Sequence, residues 1–252
     1  MQPAPPTVDD LGVQGCLFLA ALLTAQAGRL PVAPTRRMTL AVLNLLREQG
    51  VIEVPWPELR WEVQPEAEET PIEQLQWRLT WKAYGRAELP NALEDYLQCV
   101  PRDDYGLAIR LRLWSDLAIV EAERFFEQQL AKHRFDAAWA QDLVFVHRDT
   151  KNLLSAAQWR YCVWAATRHG ASVSLQQSTP DAAGLREAIY AELKRRAARV
   201  STGDWGNCSF APYQEIPQSA LGRIFTCHLT RLGLSYWMAP PSIEDLLFQV
   251  AL

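Results

Sequence analysis

The sequence predicts a helix-rich, mixed α/β protein with a short parallel or mixed sheet flanked by helices; an all-α fold is the alternative. Three observations lead there. Several long segments carry apolar residues at helical spacing between recognisable caps. Three short segments, 107–113, 143–146 and 171–175, alternate or run apolar in the manner of strands. Each of these is followed by a helical pattern, and strand–helix repetition is the signature of a parallel sheet covered by helices. With 252 residues, 49% of them hydrophobic, the chain can bury a full core without disulfides or metals.

Residues 1–8 are proline-rich and read as a loose end. From Gly15 to Ala27, Leu17, Leu19, Leu22 and Leu23 recur at helical spacing, and Gly28 closes the helix. Leu30-Pro31-Val32 separates it from a second helix over 35–49. That helix opens with Thr35-Arg36-Arg37, continues through Met38, Leu40, Val42, Leu43, Leu45 and Leu46, and ends at Gly50. Val51-Ile52-Glu53-Val54 follows as a strand, stopped by Pro55-Trp56-Pro57. The order over residues 11–56 resembles the core of a winged helix-turn-helix domain. The resemblance implies a helix that docks on DNA or on protein.

Residues 55–70, with Glu66, Glu68 and Glu69, read as a boundary or as a long wing carrying Leu59, Trp61 and Val63. Two domains are therefore expected, a winged-helix-like one over 9–66 and a larger helix-rich α/β one over 70–252. Thr70-Pro71-Ile72-Glu73 is a capping box that starts a helix towards Tyr84, although Leu75, Trp77, Leu79 and Trp81 also alternate like a strand. A short helix fits Pro90 to Cys99. Leu107, Ile109, Leu111 and Leu113 then alternate as a half-buried strand, and Ser115 and Asp116 cap a helix from Leu117 to His133. Leu143-Val144-Phe145-Val146 fits a buried strand. A helix from Leu153 to His169 is ended by Gly170, and Ala171, Val173 and Leu175 alternate after it. Asp181 leads into a helix to Arg199; further helices fit Pro217 to Leu232 and Ser242 to Gln249. Leu229 to Leu234 loosely echoes Leu45 to Val51, each reading as helix, glycine, strand.

The net charge of −4 and a pI near 5.6 argue against a general polyanion binder, so DNA contact would need a local basic patch. Five scattered cysteines without a CxxC motif fit free thiols in a reducing cytosol. No apolar run near 18 residues is evident, so no membrane span is expected. Asp9 and Asp10 stand where a signal peptide would be basic, and the expected location is cytoplasmic. Ten tryptophans, including Trp56, Trp61, Trp77 and Trp81, must be buried in a core or against a partner.

The 35–49 helix offers Thr35, Arg36, Arg37, Thr39, Asn44 and Arg47 as groups able to meet phosphates or base edges, since arginine forks suit phosphate and guanine and asparagine suits adenine. A second set lies at the carboxyl ends of the expected strands, where ligands gather in open parallel sheets. It comprises Ser115, Asp116, His147, Asp149 and Lys151, a group suited to acid–base work or to a phosphate-bearing ligand. His147 to Asn152 is similar to the catalytic loop of protein kinases. With no glycine-rich loop upstream and a long gap to Asp204-Trp205-Gly206, phosphoryl transfer is not expected. Cys208, Cys227 and His228, like Cys162 and His169, do not supply four ligands at zinc spacing, and neither metal nor cofactor is expected. Together these readings favour a non-catalytic, nucleic-acid-associated or complex-forming subunit with a protein partner and DNA as a further ligand. The rivals are an enzyme built on His147, Asp149 and Asp116, and a purely structural adaptor.

Overall fold

A computed structural model describes residues 7–53, 77–81, 84–85, 87–149, 154–176, 181–203, 208–212 and 216–248. Of these residues 74% are helical. The chain divides into two compact units: residues 1–109 with 216–231, and residues 110–215 with 232–252.

In the first unit, helix α1 (Val8–Gly28) is the core element. Thr7 caps it with a reciprocal box: its hydroxyl accepts from the Asp10 N–H at 3.4 Å, and the Asp10 carboxylate accepts from the Thr7 N–H at 2.7 Å. Gly12 interrupts the first turn at φ +64°, a conformation that favours glycine, so the regular helix begins close to the expected start. Cys16, Leu17, Leu19 and Ala21 are fully buried. By length and composition alone α1 could also cross a membrane, and most of its apolar window is buried inside the protein. Helix α2 (Arg36–Glu48) packs on it, starting at Thr35, whose hydroxyl accepts from the Met38 N–H. It ends in a Schellman motif: Gly50 takes φ +69°, its N–H donates to the Arg47 carbonyl, and the Val51 N–H donates to Leu46.

Strand β1 (Ile52–Glu53) pairs antiparallel with β2 (Arg78–Leu79), Ile52 opposite Leu79 and Glu53 opposite Arg78. β2 lies inside the segment expected to be helical. The alternation of Trp77, Leu79 and Trp81 prevails there because the β1 edge supplies backbone partners, and the Thr80 N–H extends the ladder to the Val51 carbonyl. The capping box at 70–73, and Trp56 and Trp61, lie outside the described residues. Helix α3 (Leu89–Cys99) buries Leu89, Leu93 and Leu97 on α1. Helix α8 (Ala220–Ile224) closes the unit; its first amides, Ala220 and Leu221, donate to the Pro31 and Val32 carbonyls of the α1–α2 connection. A π-helical turn (Phe225–Thr230) continues it.

The described residues of the second unit form helices and their connections with no strand, and here the expected parallel sheet is overturned. The 107–113 segment belongs to helix α4 (Asp104–Lys132). Its buried positions, Leu107, Arg110, Leu113, Trp114 and Leu117, follow a helical period that includes an arginine which alternation would turn outward. The 143–146 segment is the start of helix α5 (Leu143–Asp149), after a 3-10 turn (Ala137–Asp142) capped by Asp136. Leu143 and Val146 are buried there while Phe145 is exposed, and four apolar residues carry no period able to separate the two readings. The 171–175 segment continues helix α6 (Ala156–Gln176), capped by the Ser155–Gln158 box. Gly170 does not end that helix. A Cβ there would lie 2.4 Å from Cγ1 of Ile189 on helix α7 (Ala182–Ser201), so the glycine permits close packing of α6 and α7. Asp181 caps α7 as expected, accepting from the Ala183 and Gly184 amides. Helix α9 (Ser235–Met238) occupies the position of the echoed strand after Gly233 and packs on α6; the Trp114 indole donates to the Tyr236 carbonyl at 3.2 Å. Helix α10 (Ile243–Phe248) leaves Ile243, Leu247 and Phe248 exposed.

Candidate functional sites

Helix α2 buries Thr39, Val42, Leu43 and Leu46 against its unit and turns Arg37, Ala41 and Glu48 outward. Arg36, Asn44 and Arg47 are half-buried. Thr39 spends its hydroxyl on the Thr35 carbonyl at 3.1 Å, and Asn44 turns its Oδ1 into the protein without a hydrogen-bond partner. Of the six side chains expected to meet nucleic acid, the three arginines therefore retain outward reach, while Thr35, Thr39 and Asn44 turn inward. Such an arrangement suits contact with a charged surface rather than base reading.

The second candidate group is only partly brought together. Ser115 Oγ on α4 lies 3.4 Å from Nε2 of His147 on α5, both side chains are buried, and the His147 ring stands 5.8 Å from that of Trp159. A separation of 3.4 Å is long for an O–H···N bond. The pair ties two helices. Asp116 and Asp149 are exposed on the same helices, and Thr150 to Asn152, with Lys151 among them, lie outside the described residues. Ser115 and Asp116 lie inside α4, and His147 to Asp149 form the last turn of α5, so no strand end gathers them among the described residues. Among the described residues no three His, Cys, Asp or Glu side chains converge as a metal site, and the five cysteines are free thiols.

Two charged clusters of the second unit centre on glutamates that were not singled out from sequence, although Lys194-Arg195-Arg196 with Arg199 reads there as a basic helix end. Glu121 on α4 is buried, and burial pushes its carboxyl up to about 7, against the opposing pull of Arg124, Arg160 and the Tyr236 hydroxyl. The Arg160 guanidinium stands 4.4 Å above the Phe125 ring, with Trp237 at 5.8 Å and Phe210 at 6.0 Å. Glu192 is held by Arg195 at 2.7 Å and by Arg196 at 2.6 Å, and the Arg195 hydrogen bonds lead in holding it down at about 2. A glutamate following the apolar run 117–120 was the sequence signal for the first cluster. The Glu-x-x-Arg-Arg spacing, i to i+3 and i+4, could have revealed the second.

Comparison of the chain with protein-family models, with curated proteins and with solved structures finds no match.

Proposed function

We propose that the chain is a non-catalytic, complex-forming subunit whose winged-helix-like N-terminal segment engages a protein partner through α2. The observation that carries this reading is the succession α1, α2, β1, β2, with the α2 face around Arg37 and Ala41 exposed. The acidic net charge, and the inward turn of Thr39 and Asn44, favour a protein surface over base reading. In the second unit, exposed Leu234, Met238, Ile243, Leu247 and Phe248 add apolar surface of the kind that marks interaction sites. A second reading, duplex DNA held by its backbone, draws on Arg36, Arg37 and Arg47.

One experiment separates the two. Tagged wild-type chain and the R37E/A41E double variant are each purified from their native cells at low salt, with and without nuclease. The proposed reading expects a stoichiometric protein partner that survives nuclease and is lost with the variant. Retention that disappears with nuclease and weakens steeply with salt supports DNA instead. A lone chain under both conditions, with no retention on duplex DNA, refutes both readings.

A further inference from the structure

The first unit contains a cavity that takes no part in the α2 reading. Its wide chamber, about 560 Å³, is lined by Trp77, Leu79, Trp81 and Tyr84 on one side and by Leu23 and Ala27 of α1 on the other. The Trp81 and Tyr84 rings meet edge to face at 5.4 Å, forming an aromatic corner. A smaller recess of about 160 Å³ shares Leu23, Ala27 and Pro90 with the chamber and leads to Thr24, Glu94 and His228. Chamber and recess thus adjoin along the C-terminal half of α1, and the two together are called the groove below. The chamber falls within the range of about 300–1,000 Å³ typical of small-molecule sites.

The polar end of this groove is organised. His228 lies on the π-helical turn, a rare geometry that recurs at functional sites, and its Nδ1 is 2.8 Å from Glu94 Oε1. Gln98 Nε2 donates to the same oxygen at 3.1 Å, which leaves Glu94 Oε2 open to another donor. Among the described residues, Glu94, His228 and Arg78 are the ionisable side chains of the lining apart from Tyr84, and Arg78 is ion-paired with Glu53. Glu94 brings a carboxylate to the recess, and the aromatic faces of the chamber are themselves attractive to cations.

We propose that this groove binds a small amphiphilic amine, its apolar or aromatic body in the Trp77–Trp81–Tyr84 chamber and its ammonium group at Glu94 Oε2, with the Thr24 hydroxyl beside it. The body gains contact with the tryptophans and Leu23. The head gains a charge-assisted hydrogen bond that neither a neutral nor an anionic head can make.

The test uses three probes of one shape, 4-phenylbutylamine, 4-phenylbutanol and 4-phenylbutyrate, titrated into the full chain by calorimetry. Indole N–H resonances of Trp77 and Trp81 are followed by NMR in parallel. The amine should bind saturably, with Kd on the order of 1 mM or tighter. It should bind about tenfold better than the alcohol, with butyrate weakest. E94Q should remove the advantage of the amine while leaving the alcohol unchanged, and L23W, which fills the shared wall, should weaken all three. Glu94 is partly exposed, so E94Q decides the matter even where L23W fails to fold, and the indole shifts need no variant. Equal affinity for amine and alcohol, preference for butyrate, unmoved Trp77 and Trp81 resonances, or an amine preference that survives E94Q each overturns the proposal.

Discussion

Replacing Glu121 with glutamine should change how stability depends on pH, in a direction fixed by burial. The carboxyl titrates at about 7 in the folded chain against an ordinary 4.5, because ionising it means placing a charge where water is excluded. Below pH 4.5 both folded and unfolded chains hold the proton, and the glutamate costs nothing. Between 4.5 and 7 the unfolded chain ionises while the folded one resists, so wild-type stability falls as pH rises, and above 7 the full penalty stands. The gap of about 2.5 units corresponds to roughly 3 kcal/mol. Glutamine keeps the shape and cannot ionise, so E121Q should match wild type within about 1 kcal/mol at pH 5. At pH 8 it should be more stable by up to about 3 kcal/mol. With a urea slope of about 2 kcal/mol per molar, the midpoint moves by about 1–1.5 M. Urea unfolding followed by tryptophan fluorescence at half-unit steps from pH 5 to 8 measures this directly. Parallel pH profiles for variant and wild type would refute the argument, because they would mean that Glu121 does not titrate on folding. Glu192 does not confuse the result: its lowered pKa contributes stability above 4.5 that is lost as pH falls towards 2, outside this window.

Two other perturbations follow from packing. Gly170→Ala drives a methyl into Ile189 and should destabilise by about 1–3 kcal/mol, with thermal unfolding lowered by several degrees; an unchanged Tm would mean that α6 and α7 are not held at this spacing. Alkylation at pH 8, resolved by peptide mass spectrometry, should label exposed Cys99 and Cys227 first. Cys16 and Cys162, whose thiols burial pushes up to about 12, should react only after denaturation, and early labelling of either would contradict the core described for its unit.

Local signals were legible in the sequence where they involve few residues. Thr35 before an amphipathic run, Asp181 before Ala182 and Gly50 after Gln49 each mark a helix end through one or two local backbone hydrogen bonds or one positive φ, and each lies where sequence placed it. Period was less reliable. Leu107 to Leu113 alternates by composition, yet Arg110 is buried, and nothing local announces that an arginine has an interior place. Gly170 reads as a stop because glycine commonly closes helices, but its role depends on Ile189 arriving from another helix. The arginines of α2 were legible as a basic face, whereas the inward turn of Asn44 and the use of Thr39 against its own backbone are decided by packing. The Glu94–His228 pair joins residues far apart in sequence, so no spacing could reveal it.

The amides of Ala220 and Leu221 reach back to Pro31 and Val32, with the second unit's main segment, residues 110–215, spelled out between them. On the ribosome this fixes an order of events. Helix α1, among the most apolar segments of the protein, emerges well before α8 and must wait for it until the residues between them have been made. At about 5–20 residues per second that wait is on the order of ten seconds or more, during which a sticky helix lacks its final cover. The segment 110–215 meanwhile can collapse on contacts near in sequence, which close quickly. Premature termination near residue 215 would then yield a chain with its second unit largely made and its first left open, a natural client for holding chaperones and a sensitive place for tags or truncations.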